Sequence, residues 1–515
     1  MRDRMTETTP VAPPGPPVAP GPASPLASQP GEPSLRERAA RGTLINTGFE
    51  IGLYTLTFGR GLIIAAFLTR AEYGVWGILV VTLGTLAVLK QIGISDKFVQ
   101  QDDPDEERAF QQAFTLELFS NGILTVILLI ALPLFAAAYG QPQIFLPGLV
   151  IVATVPIQSF RAPAWVFYRN MRYARQRLLD AADPVVGFVV TVGLAIGGYG
   201  YWSLVIGFAS GVLAAALVAV VFSPYRLALR YDKRIMRGYF AFSWPLLVAS
   251  GSGLLIPQLS VFIGEAKVGL AGVGAMGLAG TIVSYTDRVD QLVTWTLYPA
   301  ICRVKDRLDL LEEAFVKTNR LALMWGIPFG VSLALFAPDL VHYALGPRWE
   351  AAVGLIQVFG LVAALNHIGF NWTAFFRARG DTRPMAVVGP VTLLAFLLVP
   401  VPLLLTVGLR GYAIGMGVMA LVSLAARTYY LTKTFPQFRM LRHAARSVAP
   451  SVPAAALVLL LRVAGLHGGL GVALAELALY VSVTVAATLV LERALLREVL
   501  GYVRGGHGLA PGGAT

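Results

Sequence analysis

The sequence predicts an all-α polytopic membrane protein with about 14 transmembrane helices, arranged as two pseudo-symmetric six-helix bundles and a C-terminal helix pair. Composition gives the class, since 56% of the 515 residues are hydrophobic and only 14% are charged, against about 25% charged in a soluble domain. Apolar runs of about 17 to 25 residues recur along the whole chain, and each is long enough to cross a bilayer. A weak internal repeat then divides the chain into halves.

The predicted spans follow one another with short polar or glycine-containing breaks, such as "AYGQPQ" and "GGYGYW". No alternating ten-residue segments typical of a β-barrel occur. The spans cover residues 44–68, 74–95, 113–137, 144–162, 182–198, 202–222, 240–262, 269–299, 320–337, 351–373, 385–407, 411–431, 448–463 and 468–490.

The regions around the spans set the predicted domains. The first 34 residues hold ten of the 32 prolines, which predicts a disordered tail without a cleaved signal. Cys302 is the single cysteine, so neither a disulfide framework nor a cysteine metal site is expected. The predicted divisions are a tail at 1–40, bundles at 41–223 and 240–432, a basic linker at 224–239, a helix pair at 447–490 and a second tail at 491–515.

Lysine and arginine predict the orientation. With the N-terminus inside, inner segments carry 32 of the 41 basic residues and outer loops carry five. Cytoplasmic segments are the ones enriched in lysine and arginine. We therefore expect a bacterial cytoplasmic membrane protein with both termini in the cytoplasm. The net charge of +12 does not indicate nucleic-acid binding, because the basic residues are spread over separate loops.

The repeat appears when the sequence is compared with itself. At an offset of 198, "EYGVWGILVVTLGTLAVLKQ" overlies "LAGVGAMGLAGTIVSYTDRV", which pairs Lys90 with Arg288. At an offset of 208, "FYRNMRYARQ" overlies "FFRARGDTRP", which pairs Arg169 with Arg377. Two six-helix copies have the same orientation in the membrane, as in transporters whose halves are related by an axis along the membrane normal.

Several charged residues fall inside predicted spans. On a helical projection of the first span, Glu50 and Arg60 share a polar arc of about 80° with an asparagine and a threonine. The eighth span carries a similar arc with Asp287, Arg288 and Gln291. A charge at the bilayer centre costs roughly 2.5–3.5 kcal/mol. The cations could snorkel to the surfaces and the acids be neutralised structurally, but polar arcs at repeat-related positions favour a hydrated cavity between the halves.

Basic residues also gather at the predicted cytoplasmic surface. The loop "FRAPAWVFYRNMRYARQRLLD" mixes arginines with interfacial aromatics, a combination that suits anionic head groups. Arg169 and Arg172 in this loop, with Arg377 and Arg379 in the repeat-related loop, are the predicted head-group contacts. Topology determination alone explains each arginine equally well.

Other motifs point away from enzyme chemistry. "GVGAMG" matches a dinucleotide-binding pattern but opens a membrane span, where small residues serve close helix packing. His367 lies in an apolar span and is predicted to be a structural histidine rather than a ligand. No catalytic constellation, metal site or cofactor motif is found, so we expect no enzyme activity and no cofactor. H⁺ or Na⁺ remains open as a coupling ion.

Three stretches resemble the polysaccharide transporter family (Wzx-type oligosaccharide flippases) of the MOP flippase superfamily, which also includes MATE transporters. "LTRAEYGVWGILVVTLGTLAVLKQIGI" is similar to its first outer loop and second helix. "QLSVFIGEAKVGLAGVGAMGLAGTIVSYTDRVDQLVTWTLYPAICRVKDR" is similar to helices 7 and 8, and "ALGPRWEAAVGLIQVFGLVAAL" to the loop before helix 10. The resemblance runs from about residue 40 to 435 in order.

The resemblance implies a flippase that moves polyprenyl-pyrophosphate-linked oligosaccharides to the outer leaflet for O-antigen, capsule or exopolysaccharide assembly. It implies a cationic central cavity in which Arg60, Lys90 and Arg288 would contact pyrophosphate. Glu50, Asp287 and Asp290 depart from an all-basic cavity and could orient these cations or bind a coupling ion. Partners would be membrane lipids and a polymerase or glycosyltransferases of the same pathway.

Three alternatives differ in cargo or class. A lipid II flippase would share the fold and is separated poorly by sequence. A multidrug exporter would need acids and apolar surface more than cations. A membrane glycosyltransferase or polymerase would need a sizeable outer domain, whereas the longest predicted outer loop has about a dozen residues, near 338–350.

Overall fold

The computed structural model describes a helical protein over residues 35–87, 94–100, 103–170, 172–287, 301, 307–379, 381, 383–435, 440–465, 468–493 and 495–497. The first eight helices are α1 Leu35–Phe67, α2 Arg70–Ala87, α3 Ile94–Gln100, α4 Glu106–Ala138, α5 Phe145–Ile157, α6 Pro163–Arg169, α7 Tyr173–Ile196 and α8 Trp202–Val221.

The second part of the chain begins with the longest described helix. The helices are α9 Lys233–Ser284, α10 Leu308–Asp339, α11 Val353–Asn366, α12 Trp372–Ala378, α13 Arg383–Leu398, α14 Pro400–Val407, α15 Leu409–Thr434, α16 Met440–Val448, α17 Ser451–Val463 and α18 Leu470–Leu491. A π-helical turn, Leu340–Leu345, and a 3₁₀ helix, Pro347–Ala352, connect α10 to α11.

The all-α membrane class is confirmed. The described residues contain ten helices that are long and apolar enough to cross a membrane, together with two shorter apolar helices, Thr55–Phe67 and Ser451–Val463. The count of fourteen spans stays a prediction, because the inner ends predicted for the spans 74–95 and 269–299 lie outside the described residues. The domain divisions likewise stay predictions.

Helix α9 joins two predicted spans without a loop. Gly269 lies inside it with φ 68° and ψ −179°, and the helical axis breaks there. Glycine reaches this backbone region without the steric penalty of a Cβ atom. The segments before and after Gly269 therefore behave as two helices that turn directly into each other.

The helices extend beyond the predicted spans at the end of the molecule opposite the α1–α2 turn. We call this end, which carries α3, α6, α12 and α16, the basic end. Helix α4 begins at Glu106 rather than near residue 113, and the side chain of its N-cap Asp105 accepts a hydrogen bond from the Arg108 backbone N–H at 3.0 Å. Hydropathy ends a span where polar residues begin, but a capped amphipathic helix continues through them. Helices α7 and α10 also begin before their predicted spans, at Tyr173 and Leu308, although neither has a side-chain N-cap hydrogen bond in the structure.

Two ion-pair clusters fasten α17 and α18 to the rest of the molecule. Near the α1–α2 end, Arg462 Nη2 lies 2.7 Å from both Asp339 Oδ2 and Glu476 Oε2. Near the basic end, Glu492 accepts from Arg320 and lies 3.1 Å from Arg446 Nε. Because Asp339 and Arg320 flank the membrane-spanning part of α10, the helix pair is held against that helix at both ends.

Candidate functional site: the seam between the two predicted bundles

Helices α2 and α9 approach each other closely enough for backbone contact. A Cβ atom added at Gly74 would lie 2.1 Å from the Leu270 carbonyl oxygen, and one added at Gly274 would lie 1.9 Å from the Arg70 carbonyl oxygen. Only glycine permits this approach. The prediction that "GVGAMG" serves helix packing is therefore confirmed at Gly274.

The turn before α11 closes the same end of the seam. The buried Trp349 indole N–H donates to the Ala65 carbonyl oxygen of α1 at 2.6 Å, and its ring meets Tyr73 edge to face at 5.5 Å. Arg348 Nη1 lies 3.4 Å from the carbonyl oxygens of Phe67 and Leu68. These contacts tie the second predicted bundle to the first at the α1–α2 end.

Packing at the seam loosens toward the basic end. Ile64, Ala65 and Leu68 of α1 are buried, whereas no described side chain between residues 52 and 63 is. In α9, burial is nearly continuous from residue 272 to 279. Beyond it, the buried Ile282 and Thr286 stand among half-buried residues, and Gly280 and Asp287 are exposed. Burial is therefore densest near the α1–α2 end of the seam and less continuous toward the basic end.

Arg60 lies about 10 Å below the α1–α2 end by helical rise. Its side chain is half-buried and has neither an ion pair nor a hydrogen bond with any residue that the structure describes. Its Nη1 atom is 3.5 Å from where a Cβ of Gly187 would stand, an ordinary contact distance, so the guanidinium lies against α7. Tyr73 lies within electrostatic range on the seam side.

An acid–base pair that sequence reasoning missed lies one helical turn from Gly187. Asp183 Oδ2 accepts from Arg161 Nη1 at 2.9 Å, and both side chains are about one-third exposed. Gly211 of α8 fits against Asp183, since its Cβ would lie 2.6 Å from Oδ1. The signal was a charged residue within the predicted span 182–198. The surroundings of Arg60 at α7 therefore include charges of both signs, those of Arg161 and Asp183.

The other predicted site residues are described only in part. Asp287 is exposed and lies in the 3₁₀ turn Tyr285–Asp287, which contacts α1 through an edge-to-face pair of Tyr285 with Phe58 at 4.8 Å. Lys90, Arg288, Gln291, Asp290 and the side chain of Glu50 lie outside the described residues. Their convergence with Arg60 stays a prediction.

His367 is a structural histidine, as predicted. It is fully buried, with Nδ1 2.7 Å from the Ala363 carbonyl oxygen and Nε2 3.1 Å from the Thr286 carbonyl oxygen. Gly326 makes room for it, since a Cβ there would lie 2.2 Å from the imidazole ring. The ring therefore fixes the turn that carries Asp287 against α11.

The four predicted head-group arginines differ in their surroundings. Arg169 Nη1 donates to the carbonyl oxygens of Phe98 and Val99 at 2.9 and 3.1 Å, so it caps α3. Arg172, Arg377 and Arg379 are exposed, and Arg377 Nε lies 3.4 Å from the Thr373 carbonyl oxygen. Lipid contact by these three exposed side chains stays a prediction, while Arg169 has a structural role that its sequence position did not reveal.

No group of three or more histidine, cysteine, aspartate or glutamate side chains that could hold a metal ion occurs in the part of the chain that the structure describes. Charged groups such as Arg60 and the Arg161–Asp183 pair suit contacts with anions or hydrated polar groups.

Comparison with known proteins gives a family. Residues 63–354, more than half of the chain, match the family model described as "Polysaccharide biosynthesis protein". The chain is 19% identical over 285 residues to the teichuronic acid biosynthesis protein TuaB of Bacillus subtilis (strain 168), covering 54% of this chain and 58% of TuaB. It is 20% identical over 351 residues to the lipopolysaccharide biosynthesis protein WzxC of Escherichia coli (strain K12), covering 65% and 69%.

Solved structures show the same fold. The lipid II flippase MurJ in an inward closed conformation matches with a TM-score of 0.67 and 11% identity, over 88% of this chain and 100% of that one. An inward-facing multidrug resistance MATE family transporter of the MOP superfamily matches with a TM-score of 0.61 and 14% identity, over 75% and 96%. The fold is that of membrane transporters.

Proposed function

We propose, on the premise that the chain belongs to the polysaccharide biosynthesis protein family, that it is a flippase for polyprenyl-pyrophosphate-linked oligosaccharides. The cargo would cross the cytoplasmic membrane for exopolysaccharide, capsule or O-antigen assembly. The chain covers 58% of the length of TuaB, which is less than two thirds. The activity is therefore a proposal for this chain and is not inferred from the names of its relatives.

The observation that carries this proposal is the uneven seam. One end is closed by backbone contact and by Trp349, and burial becomes less continuous toward the basic end. Arg60, about 10 Å from the closed end by helical rise, has no ion pair or hydrogen bond with a described residue. A permanently charged group inside an apolar layer is expected to face water or an anion. A cation near the closed end of a cavity that opens to one side would suit an amphiphile whose head group is anionic.

In the proposed mechanism, Arg60, Lys90 and Arg288 bind the pyrophosphate while the seam is open toward the basic end. Guanidinium and ammonium groups bind phosphate oxygens through charge-assisted hydrogen bonds. Asp287, Gln291 and Glu50 would orient these cations or hold a coupling ion, H⁺ or Na⁺. The glycan enters the wet cavity and the prenyl chain stays in lipid.

Transport then requires the seam to part at the α1–α2 end. The Trp349–Ala65 hydrogen bond and the Gly74 and Gly274 contacts would break as the two bundles rock about the bound head group. The basic end is assigned to the cytoplasm by its excess of lysine and arginine, so the cargo would move outward. Exposed arginines at that end (Arg172, Arg377 and Arg379) would attract the anionic carrier.

The proposal is tested in a strain that depends on this protein for surface polysaccharide. Arg60→Ala, Lys90→Ala and Arg288→Ala should each reduce surface polysaccharide at least about tenfold, which corresponds to a loss of 1.4 kcal/mol of binding. Arg60→Lys should retain part of the activity because it keeps the charge. Arg226→Ala, an exposed cation of the linker, is the matched control.

Wild-type polysaccharide from all three alanine variants at normal protein levels would refute the cation site. Purified protein reconstituted in vesicles should move a fluorescent polyprenyl-pyrophosphate glycan between leaflets. Movement of lipid II or of a cationic drug in preference to this cargo would replace the proposed cargo with one of the alternatives. Neighbouring genes that encode glycosyltransferases and a polymerase would support the proposed pathway.

A further inference from the structure

A cavity of about 1470 Å³ lies between the second predicted bundle and the helix pair α17–α18, next to the closed end of the seam. Its walls come from the end of α10, the turns before α11, the start of α15 and the facing ends of α17 and α18. Arg70, at the start of α2, is the wall residue contributed by the first predicted bundle. None of the residues predicted to bind cargo lines it.

The cavity is polar at one level and apolar at another. Arg70, Glu350 and Arg410 belong to the first turns of helices or to a connecting turn, so they lie at the membrane surface of the α1–α2 end. Val358 and Ile414 lie further along α11 and α15, about one turn deeper. A wall that is charged at the surface and largely apolar below it, apart from Gln357 and the paired Glu476, matches an amphiphile that stands upright in the bilayer.

The charges in the wall are of two kinds. Arg462 forms ion pairs with Asp339 and Glu476. In contrast, Arg70, Arg410 and Glu350 have no ion pair or side-chain hydrogen bond with any described residue. Two guanidinium groups and one carboxylate that have no partner among the described residues therefore lie at the head-group level of the cavity.

We infer that this cavity is a binding site for a membrane phospholipid whose head group carries both a phosphate and a primary ammonium, of the phosphatidylethanolamine type. Arg70 and Arg410 would hold the phosphate, because guanidinium groups match phosphate oxygens. Glu350 would accept hydrogen bonds from the ammonium group. The acyl chains would lie along Val358, Ile414 and Leu459.

A lipid bound in this cavity would affect the seam, because the short helix Pro347–Ala352 contacts both the cavity and the seam. In Pro347–Ala352, Arg348 and Trp349 contact α1, while Pro347 and Glu350 face the cavity. A lipid held by Glu350 would favour the position in which Trp349 bonds to Ala65. The inference is independent of the cargo, since it requires only that the protein resides in a bilayer.

The test is native mass spectrometry of the full chain released from nanodiscs of equimolar phosphatidylethanolamine and phosphatidylglycerol. The wild type should retain phosphatidylethanolamine about threefold over phosphatidylglycerol, as expected for a partly exposed ion pair. Glu350→Gln should abolish this preference without removing lipid. Arg70→Gln combined with Arg410→Gln should reduce retention of both lipids several-fold. Lys433→Gln, an exposed cation at the basic end, is the matched control.

Three outcomes would overturn the site. They are equal retention of the two lipids by the wild type, unchanged retention in the arginine double variant, and a preference for polyprenyl phosphate when it is added to the nanodiscs. Polyprenyl phosphate has a phosphate but no ammonium, so Glu350→Gln would then increase its retention. None of these three outcomes would bear on the cation site at the seam, because its variants are measured by surface polysaccharide.

Discussion

Arg60 and Arg462 both lie within the helical layer, yet their surroundings are opposite. Arg462 is enclosed by two carboxylates, Asp339 and Glu476, and stacks over the Phe336 ring at 5.1 Å. Arg60 has no ion pair or hydrogen bond in the described part of the chain. The difference shows that the partners of a charged side chain indicate its role: Arg462, paired with two carboxylates, fastens helices, whereas Arg60, without a described partner, is the candidate for contact with a ligand.

The contrast between Arg462 and Arg60 is tested most directly by removing each guanidinium in turn and comparing the stability of the two variants. Arg462→Ala would leave the buried Glu476 carboxylate and Asp339 without their cation, and breaking such a pair costs about 3–5 kcal/mol. Arg60→Ala removes a charge that has no ion pair with a described residue, and it should change stability by less than about 1 kcal/mol. Thermal unfolding of both variants in the same detergent measures the difference.

A double variant, Arg462→Ala with Glu476→Gln, serves as the control, because it removes a stranded charge as well as the cation. It should recover part of the lost stability. If Arg60→Ala unfolds at a lower temperature than Arg462→Ala, then Arg60 is the fastening residue and the assignment of roles is reversed.

The seam can be tested by adding one methyl group. Gly274→Ala would place a Cβ 1.9 Å from the Arg70 carbonyl oxygen, and backbone must shift to accept it. Overpacking of this kind costs about 1–3 kcal/mol. The closed end should open more often, so a cysteine at Ala65 should react faster with a water-soluble maleimide in a Cys302→Ser background.

Gly280→Ala is the matched control for this test, since nothing lies within 4 Å of a Cβ at that position. It should leave the labelling rate unchanged. Equal rates for both alanine variants would mean that the glycine contact does not hold the seam closed.

The smallest expected effect is the difference in stability between variants of Arg169 and Arg172, two neighbouring arginines at the basic end. Arg169→Gln loses the hydrogen bonds that cap α3 and should cost about 1 kcal/mol, while Arg172→Gln should stay within about 0.5 kcal/mol. Binding to vesicles that contain anionic lipid should weaken only for Arg172→Gln, as measured by flotation. The reverse pattern would return Arg169 to a head-group role.

The fold class could be predicted from the sequence because hydropathy and length report directly on membrane spans. Packing of Gly274 and the structural role of His367 also followed from residue type and context. The Arg161–Asp183 pair and the capping role of Arg169 could not be predicted, since their partners are remote in sequence. Hydropathy predicts two spans within α9, and the helix does break between them, at Gly269. The direct turn there depends on a backbone angle that composition does not encode.

Backbone-to-backbone contact between α2 and α9 also bears on which substitutions the seam tolerates. The contact depends on the absence of a Cβ at Gly74 and Gly274 and not on the chemistry of the side chains around it. In the proposed mechanism, those surrounding side chains can therefore change without loss of the contact. Cargo preference and opening of the seam would then be separately adjustable.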